Sequence, residues 1–128
     1  MIAGRSALGD DLAQIVGESG VLEGAAAERG YGADDRARPT AIALPRTTEE
    51  TAAIVRYCAQ RAIPFTPRGA GTGLSGGTLP ALGGVVIATK RLTQIVRYEP
   101  ENRCLLAEAG VANRRLQEIA LPDGLHFA

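Results

Sequence analysis

A chain of 128 residues that is 45% hydrophobic and 22% charged has the make-up of one globular domain or part of one, not of a disordered polymer. Fourteen basic and fourteen acidic side chains cancel, which argues against a module that binds nucleic acid by neutralising phosphates and against a polybasic membrane anchor. No apolar run approaches the roughly 20 residues that span a bilayer, and Met1-Ile2-Ala3-Gly4-Arg5 leads into no apolar stretch of a secretory signal, so no direct membrane insertion and a cytoplasmic location are expected.

Leu8, Leu12, Ile15 and Val16 recur at i, i+4, i+7 and i+8, which predicts a short helix. Asp10 and Asp11 sit near its start, where the dipole favours acids, and Gly17 closes it. Residues 23–38, rich in Gly, Ala, Arg and Asp, read as an irregular lead-in, with Val21 and Leu22 packing on the domain. Ala41-Ile42-Ala43-Leu44, closed by Pro45, reads as a buried strand. Thr47 and Glu50 fit a capping box, and the helix behind it should run from about 48 to 62, with Thr51, Ile54, Val55, Cys58 and Ala62 on its inner face. Pro64-Phe65-Thr66-Pro67 is the next extended segment, which its prolines keep from being a long central strand. Strand, helix and strand make one βαβ unit, parallel and right-handed by rule.

Val85-Val86-Ile87-Ala88 predicts another buried strand. Ile95 to Tyr98 and Arg103 to Glu108 predict two more, turned by Pro100-Glu101-Asn102. A last helix should start near Asn113 as its cap, bury Leu116, Ile119 and Ala120, and end at Pro122-Asp123-Gly124. The predicted order is α-β-α-β-loop-β-β-β-α, one parallel crossover followed by antiparallel neighbours, which is an α+β fold. Cys58 and Cys104 stand outside any metal-ligand spacing and read as two buried thiols. No metal site is expected.

Five of the 16 glycines fall in nine residues: Gly69, Gly71, Gly73, Gly76 and Gly77. Such a stretch makes a poor helix and a poor strand, but a loop whose main chain a ligand can touch. Gly71 to Gly76 matches the GxGxxG string of dinucleotide-binding folds. That mechanism needs a helix to begin inside the motif and an acid about 20 residues on. Here Gly77-Thr78-Leu79-Pro80 and Gly83-Gly84 leave no room for a helix, and Lys90 and Arg91 stand where the acid would be. No Lys follows a GxxxxG reading either, which excludes a Walker A loop. What remains is a nest of main-chain N–H groups for an anion, with Arg68 adding charge and Thr72, Ser75 and Thr78 adding hydroxyls, or a long surface loop.

Pro67-Arg68-Gly69-Ala70-Gly71-Thr72-Gly73-Leu74-Ser75-Gly76-Gly77 resembles the pyrophosphate loop of FAD-linked oxidases of the vanillyl-alcohol oxidase type, also called the PCMH type. Within that family it is most similar to the FAD-binding subunit of glycolate oxidase and to D-lactate and D-2-hydroxyglutarate dehydrogenases. Tyr31 and Asp34 resemble the family's Y-x-x-D segment, Arg38-Pro39 and Ala41 to Pro45 its first strand, and Thr48 to Arg61 its first helix. Ala109-Gly110-Val111 resembles its turn before a helix. The resemblance spans about residues 21–128 and is strongest from 39 to 111.

The resemblance implies residues 1–38 as a helix and lead-in, and residues 39–128 as the N-terminal part of a PCMH-type FAD-binding domain, incomplete because family members are several times longer. It implies FAD held by Arg68, Gly69, Ala70, Gly71, Thr72, Gly73, Leu74, Ser75, Gly76 and Gly77, with Pro45 and Gly110 lining the same cleft. Some relatives tie the flavin to a His in this loop. Thr72 stands at that place here, so the flavin should be held non-covalently. The implied activity of the whole protein is oxidation of a small 2-hydroxy acid, of glycolate or D-lactate type, to a 2-oxo acid, with a homo-oligomer or partner subunits as expected associations. The substrate site lies beyond this chain, and His126 is read as a solvent-facing or packed residue without a catalytic role. Alternatives are a non-catalytic nucleotide-diphosphate-binding or structural unit, and a sibling alcohol or aldonolactone oxidase on the same fold.

Overall fold

A computed structural model describes residues 4–31, 38–80 and 83–127. The first helix, α1 (Ala7–Val16), starts where the Ser6 hydroxyl accepts from the Gly9 N–H at 3.1 Å and ends at Gly17, as the periodicity predicts. It buries Leu12 and Val16 completely or nearly so. The chain then differs from the expected irregular lead-in. Val21–Glu23 form a short strand, β1, and Gly24–Tyr31 a helix, α2. Ala25, Ala26 and Ala27 supply the helix propensity, and burial of Ala27 supplies the tertiary reason. Asp34 lies outside the described residues.

Ala41–Ala43 form β2, and Thr48–Gln60 form the crossover helix α3. The Thr47 hydroxyl accepts from the Glu50 N–H at 3.1 Å, and the Glu50 carboxylate reaches back to the Arg46 N–H at 2.7 Å. That is the reciprocal cap expected of this sequence, set one residue earlier on its return arm. Ile54 and Cys58 face the core. Ala62 does not join them: the chain leaves the helix there through a left-handed conformation, φ 52°, which turns Ala62 to solvent.

Phe65–Arg68 form β3 and Val85–Ala88 form β4. The sheet order is β1-β2-β4-β3. β4 lies between β2 and β3 and runs parallel to both, so the first strand after the crossover is not an antiparallel neighbour. β1 is antiparallel to β2. β3, preceded by Pro64 and containing Pro67, is an edge strand, where a missing N–H is tolerated.

Alternate residues of the sheet point to opposite faces. Ala41, Ala43, Val85 and Ile87 pack with Leu12, Val16, Ile54 and Cys58, beneath α1 and α3. Ile42, Leu44, Val86 and Ala88 pack with Ala27 of α2. Both faces being covered explains why β4 reads as an unbroken apolar run.

A separate antiparallel pair follows, β5 (Ile95–Glu99) and β6 (Cys104–Ala107), turned by Pro100–Asn102 and irregular between Ile95 and Arg97. Asn113–Ala120 form α4, which buries Ala120 and half-buries Leu116 and Ile119. Asn113 is its first helical residue; the cap position is Ala112, which has no capping side chain. The βαβ unit, the antiparallel pair and the closing helix expected of the sequence are thus all present. Cys58 is buried, but Cys104 is exposed on the two-stranded sheet.

Candidate functional site

The residues between Gly69 and Pro80 form bends and turns with no helix, as their glycine content dictates. The loop leaves the edge strand β3 through Arg68, and Gly71 lies over that side chain. Its φ of +75° is one that glycine adopts freely, and a Cβ there would stand 2.6 Å from Arg68 Nη2. The Arg68 guanidinium is committed on its other side as well. It donates to the Tyr31 carbonyl at the end of α2, 3.1 Å away, and lies 5.3 Å from the centre of the Tyr31 ring. A cation over an aromatic face adds attraction to the hydrogen bond.

Across from the loop stands a wall made by one close approach. The turn that follows β4, Thr89–Arg91, meets the segment that follows β6. A Cβ on Gly110 would collide with the Thr89 carbonyl oxygen and stand 2.6 Å from that of Leu92. The absence of a side chain lets the Gly110 N–H donate to the Leu92 carbonyl at 2.8 Å, while the Thr89 hydroxyl donates to the Ala109 carbonyl at 3.2 Å. The Gln94 N–H donates to the Glu108 carboxylate at 2.7 Å beside them.

Between loop and wall lies an open cleft of about 650 Å³. Tyr31, Arg68, Gly69, Ala70 and Thr72 line one side; Thr89, Lys90 and the segment from Ala109 to Asn113 line the other. Among the described residues, two cations and no acidic side chain face this space. The cleft is therefore electrostatically suited to an anion, and its glycine-rich side offers main-chain donors without Cβ atoms in the way.

The structure brings Arg68, Gly69, Ala70 and Thr72 to the cleft. Gly71 holds Arg68 from above rather than lining the space. Gly73, Leu74, Ser75, Gly76 and Gly77 lie farther along the loop and outside the lining; Leu74 is fully exposed. Gly110 lines the cleft, as the resemblance implies. Pro45 does not: its ring is fully buried after β2. Residue-level reading missed Thr89, Lys90, Ala112 and Asn113. Lys90 carries a signal in the sequence, a positive charge where a ribose-binding acid would stand. His126 is exposed near the end of the described chain. Among the described residues, no group of three or more His, Cys, Asp or Glu could hold a metal ion, and no helix is long and apolar enough to cross a membrane.

Comparison with known proteins accounts for this arrangement. The chain is 37% identical over 93 residues to the glycolate oxidase subunit GlcD of Escherichia coli (strain K12), covering 73% of this chain and 19% of that protein. It is 36% identical over 86 residues to a D-lactate dehydrogenase of Archaeoglobus fulgidus, covering 67% and 19%. It thus spans about a fifth of the length of these curated relatives. Among solved structures, 4-ethylphenol oxidase from Gulosibacter chungangensis superposes with a TM-score of 0.77 at 21% identity, over 95% of this chain and 26% of that one, which shows a shared fold. The FAD binding domain family matches residues 39–128, from the segment entering β2 to the last residue. With more than half its length matched, and with the fold and the open glycine-lined cleft in agreement, the chain belongs to that family, as a PCMH-type FAD-binding unit related to glycolate oxidase and D-lactate dehydrogenase.

Proposed function

We propose that this chain holds the diphosphate of FAD in a flavin-dependent oxidoreductase that oxidises a small 2-hydroxy acid, of glycolate or D-lactate type, to a 2-oxo acid. The observation that carries the reading is the cleft beneath the glycine loop, which among the described residues is lined by two cations and no acid. Arg68 and the main-chain amides of Gly69, Ala70 and Thr72, which line the cleft, meet the diphosphate; the rest of the loop to Gly77 shapes that side, and Arg68 keeps its aim because the Tyr31 carbonyl and ring fix it. Thr72 faces the cleft and has no nucleophilic ring nitrogen, so the flavin is held non-covalently. When bound, the flavin supplies the redox chemistry, and the protein's part is to place it. The hydroxy-acid specificity rests on the relatedness to glycolate oxidase subunit GlcD and to D-lactate dehydrogenase. No residue of this chain is assigned a catalytic role.

The test is flavin retention. The chain is mixed with FAD and desalted, and absorbance is read near about 450 nm, where bound oxidised flavin absorbs. The wild type should retain the band, and Gly76→Val should lose it, because residue 76 has a φ of +75° that a β-branched side chain resists. A variant that keeps its flavin overturns the loop assignment, and a wild type that keeps none overturns the proposal that this chain holds the diphosphate. Acid precipitation of the loaded chain should free all the flavin; colour left in the pellet would contradict non-covalent binding.

A further inference from the structure

The two cations of the cleft are in different situations. Arg68 is anchored by the Tyr31 carbonyl, by the Tyr31 ring and by Gly71 above it. Lys90 is exposed, and among the described residues its ammonium has no hydrogen-bond or ion-pair partner. Yet the backbone that carries it is fixed on both sides. Thr89 is tied to Ala109 through its hydroxyl at 3.2 Å. The Arg91 guanidinium donates to the Ser19 carbonyl and, at 3.3 Å, to the Ser19 hydroxyl. The Leu92 N–H closes the turn on the Thr89 carbonyl at 2.8 Å. A free ammonium on a clamped turn, facing a cleft whose described lining holds no acid, is a charge without a partner among the described residues.

We propose that Lys90 is the second anchor of the diphosphate, gripping it from the wall opposite the glycine loop. The proposal rests on the FAD reading of the cleft and adds to it a contact from outside the loop. The division of labour is chemical. Arg68 is a planar fork held in one orientation, and it shapes the loop. Lys90 is a point charge on a flexible stem that can follow a phosphate oxygen as it arrives. The ligand class is therefore a diphosphate ester, and the part of the ligand that Lys90 reads is the phosphate, not the ring system.

Three probes separate the possibilities: FAD, riboflavin and inorganic pyrophosphate, titrated by calorimetry against the wild type, Lys90→Gln and Lys90→Arg. Lys90→Gln should weaken FAD and pyrophosphate by about tenfold, the scale of one charge-assisted hydrogen bond, and leave riboflavin unchanged. Lys90→Arg should stay within a few-fold of wild type. The salt dependence of pyrophosphate binding should flatten in Lys90→Gln. Because the side chain is exposed, all three proteins should melt together. FAD and pyrophosphate bound equally by the wild type and Lys90→Gln would overturn the lysine assignment and leave the FAD reading standing. Lys90-dependent pyrophosphate binding without FAD binding would do the reverse. Binding of neither probe by the wild type would overturn both.

Discussion

The inner strands β2 and β4 of the four-stranded sheet and the two strands of the smaller sheet reach opposite ends of burial. Every residue of the central strand β4 is buried. No residue of β5 or β6 is, and Val96 and Leu106 lie more than half exposed. The difference lies in coverage as well as in composition, since β5 carries Arg97 and Glu99 where β2 and β4 are wholly apolar. Helices cover both faces of the first sheet, so each side chain of β4 meets a layer. The second sheet faces Leu116 and Ala120 of α4 only across an open cleft, and it is joined to the first through the contacts around Gly110. The first unit can be stable through its own core; the second depends on a junction.

The largest effect should come from the first unit. Leu12→Ala removes a completely buried side chain from the cluster under α1 and α3 and should cost about 2–5 kcal/mol in urea unfolding. Leu106→Ala, on the open face of β6, should stay within about 0.5 kcal/mol. Equal costs would break the comparison. Next comes the junction. Gly110→Ala forces a Cβ against two backbone carbonyls and should cost about 1–3 kcal/mol. Its signature in hydrogen exchange should be local: the Glu108 amide, which donates to Gln94, should exchange faster while the amides of β4 stay protected.

A smaller effect should come from the contact between α1 and α3. The Tyr57 hydroxyl donates to Asp11 at 2.7 Å, and Arg61 lies 4.0 Å from the ring centre. Tyr57→Phe should cost about 1 kcal/mol. Burial pushes the Tyr57 phenol above its usual range, and the Asp11 hydrogen bond and charge add to that shift against the opposing Arg61. A phenol raised in the folded state gives stability that is whole below its unfolded value and is lost as pH rises through the folded one. The gap between wild type and Tyr57→Phe should therefore narrow above about pH 10, and denaturant midpoints on either side of that pH would show it. The smallest perturbation is chemical labelling. Cys104 is exposed and Cys58 is buried, with its thiol raised by that burial. One thiol per chain should react quickly in the native state and the second only on unfolding; two fast thiols would mean that the first core opens readily.

The parts of this fold legible in the sequence are those fixed by local chemistry. Thr47 and Glu50 announce a helix start, the prolines around Phe65 announce an edge, and the apolar run at Val85 announces a doubly covered strand. What was missed depends on distant partners. Val21–Glu23 is too short to show a period, and it becomes a strand by pairing with Ala41–Ala43. Gly24–Tyr31 reads as irregular by its glycines, and it becomes a helix over a sheet face that Ile42 and Val86 would otherwise leave bare. Nothing local tells Val85–Ala88 to lie parallel between two earlier strands, or tells Cys104 that its face has no cover. The site divides the same way. The glycine loop is visible as composition, but its opposite wall comes from Thr89 to Arg91 and Ala109 to Asn113, which only the fold brings together.

The position of β4 also sets an order of events during synthesis. β2 and β3 each pair with β4 and not with each other. As the chain leaves the ribosome, residues 41–43 and 65–68 emerge first, with their inner edges unmatched until residues 85–88 follow. The glycine-rich loop is the stretch translated in that interval. It must stay slack enough to let β4 double back between two waiting strands, and open strand edges in a partly made chain are prone to wrong pairing. A loop rich in glycine and poor in β-branched residues lowers that risk, because it offers no competing strand while the sheet is incomplete.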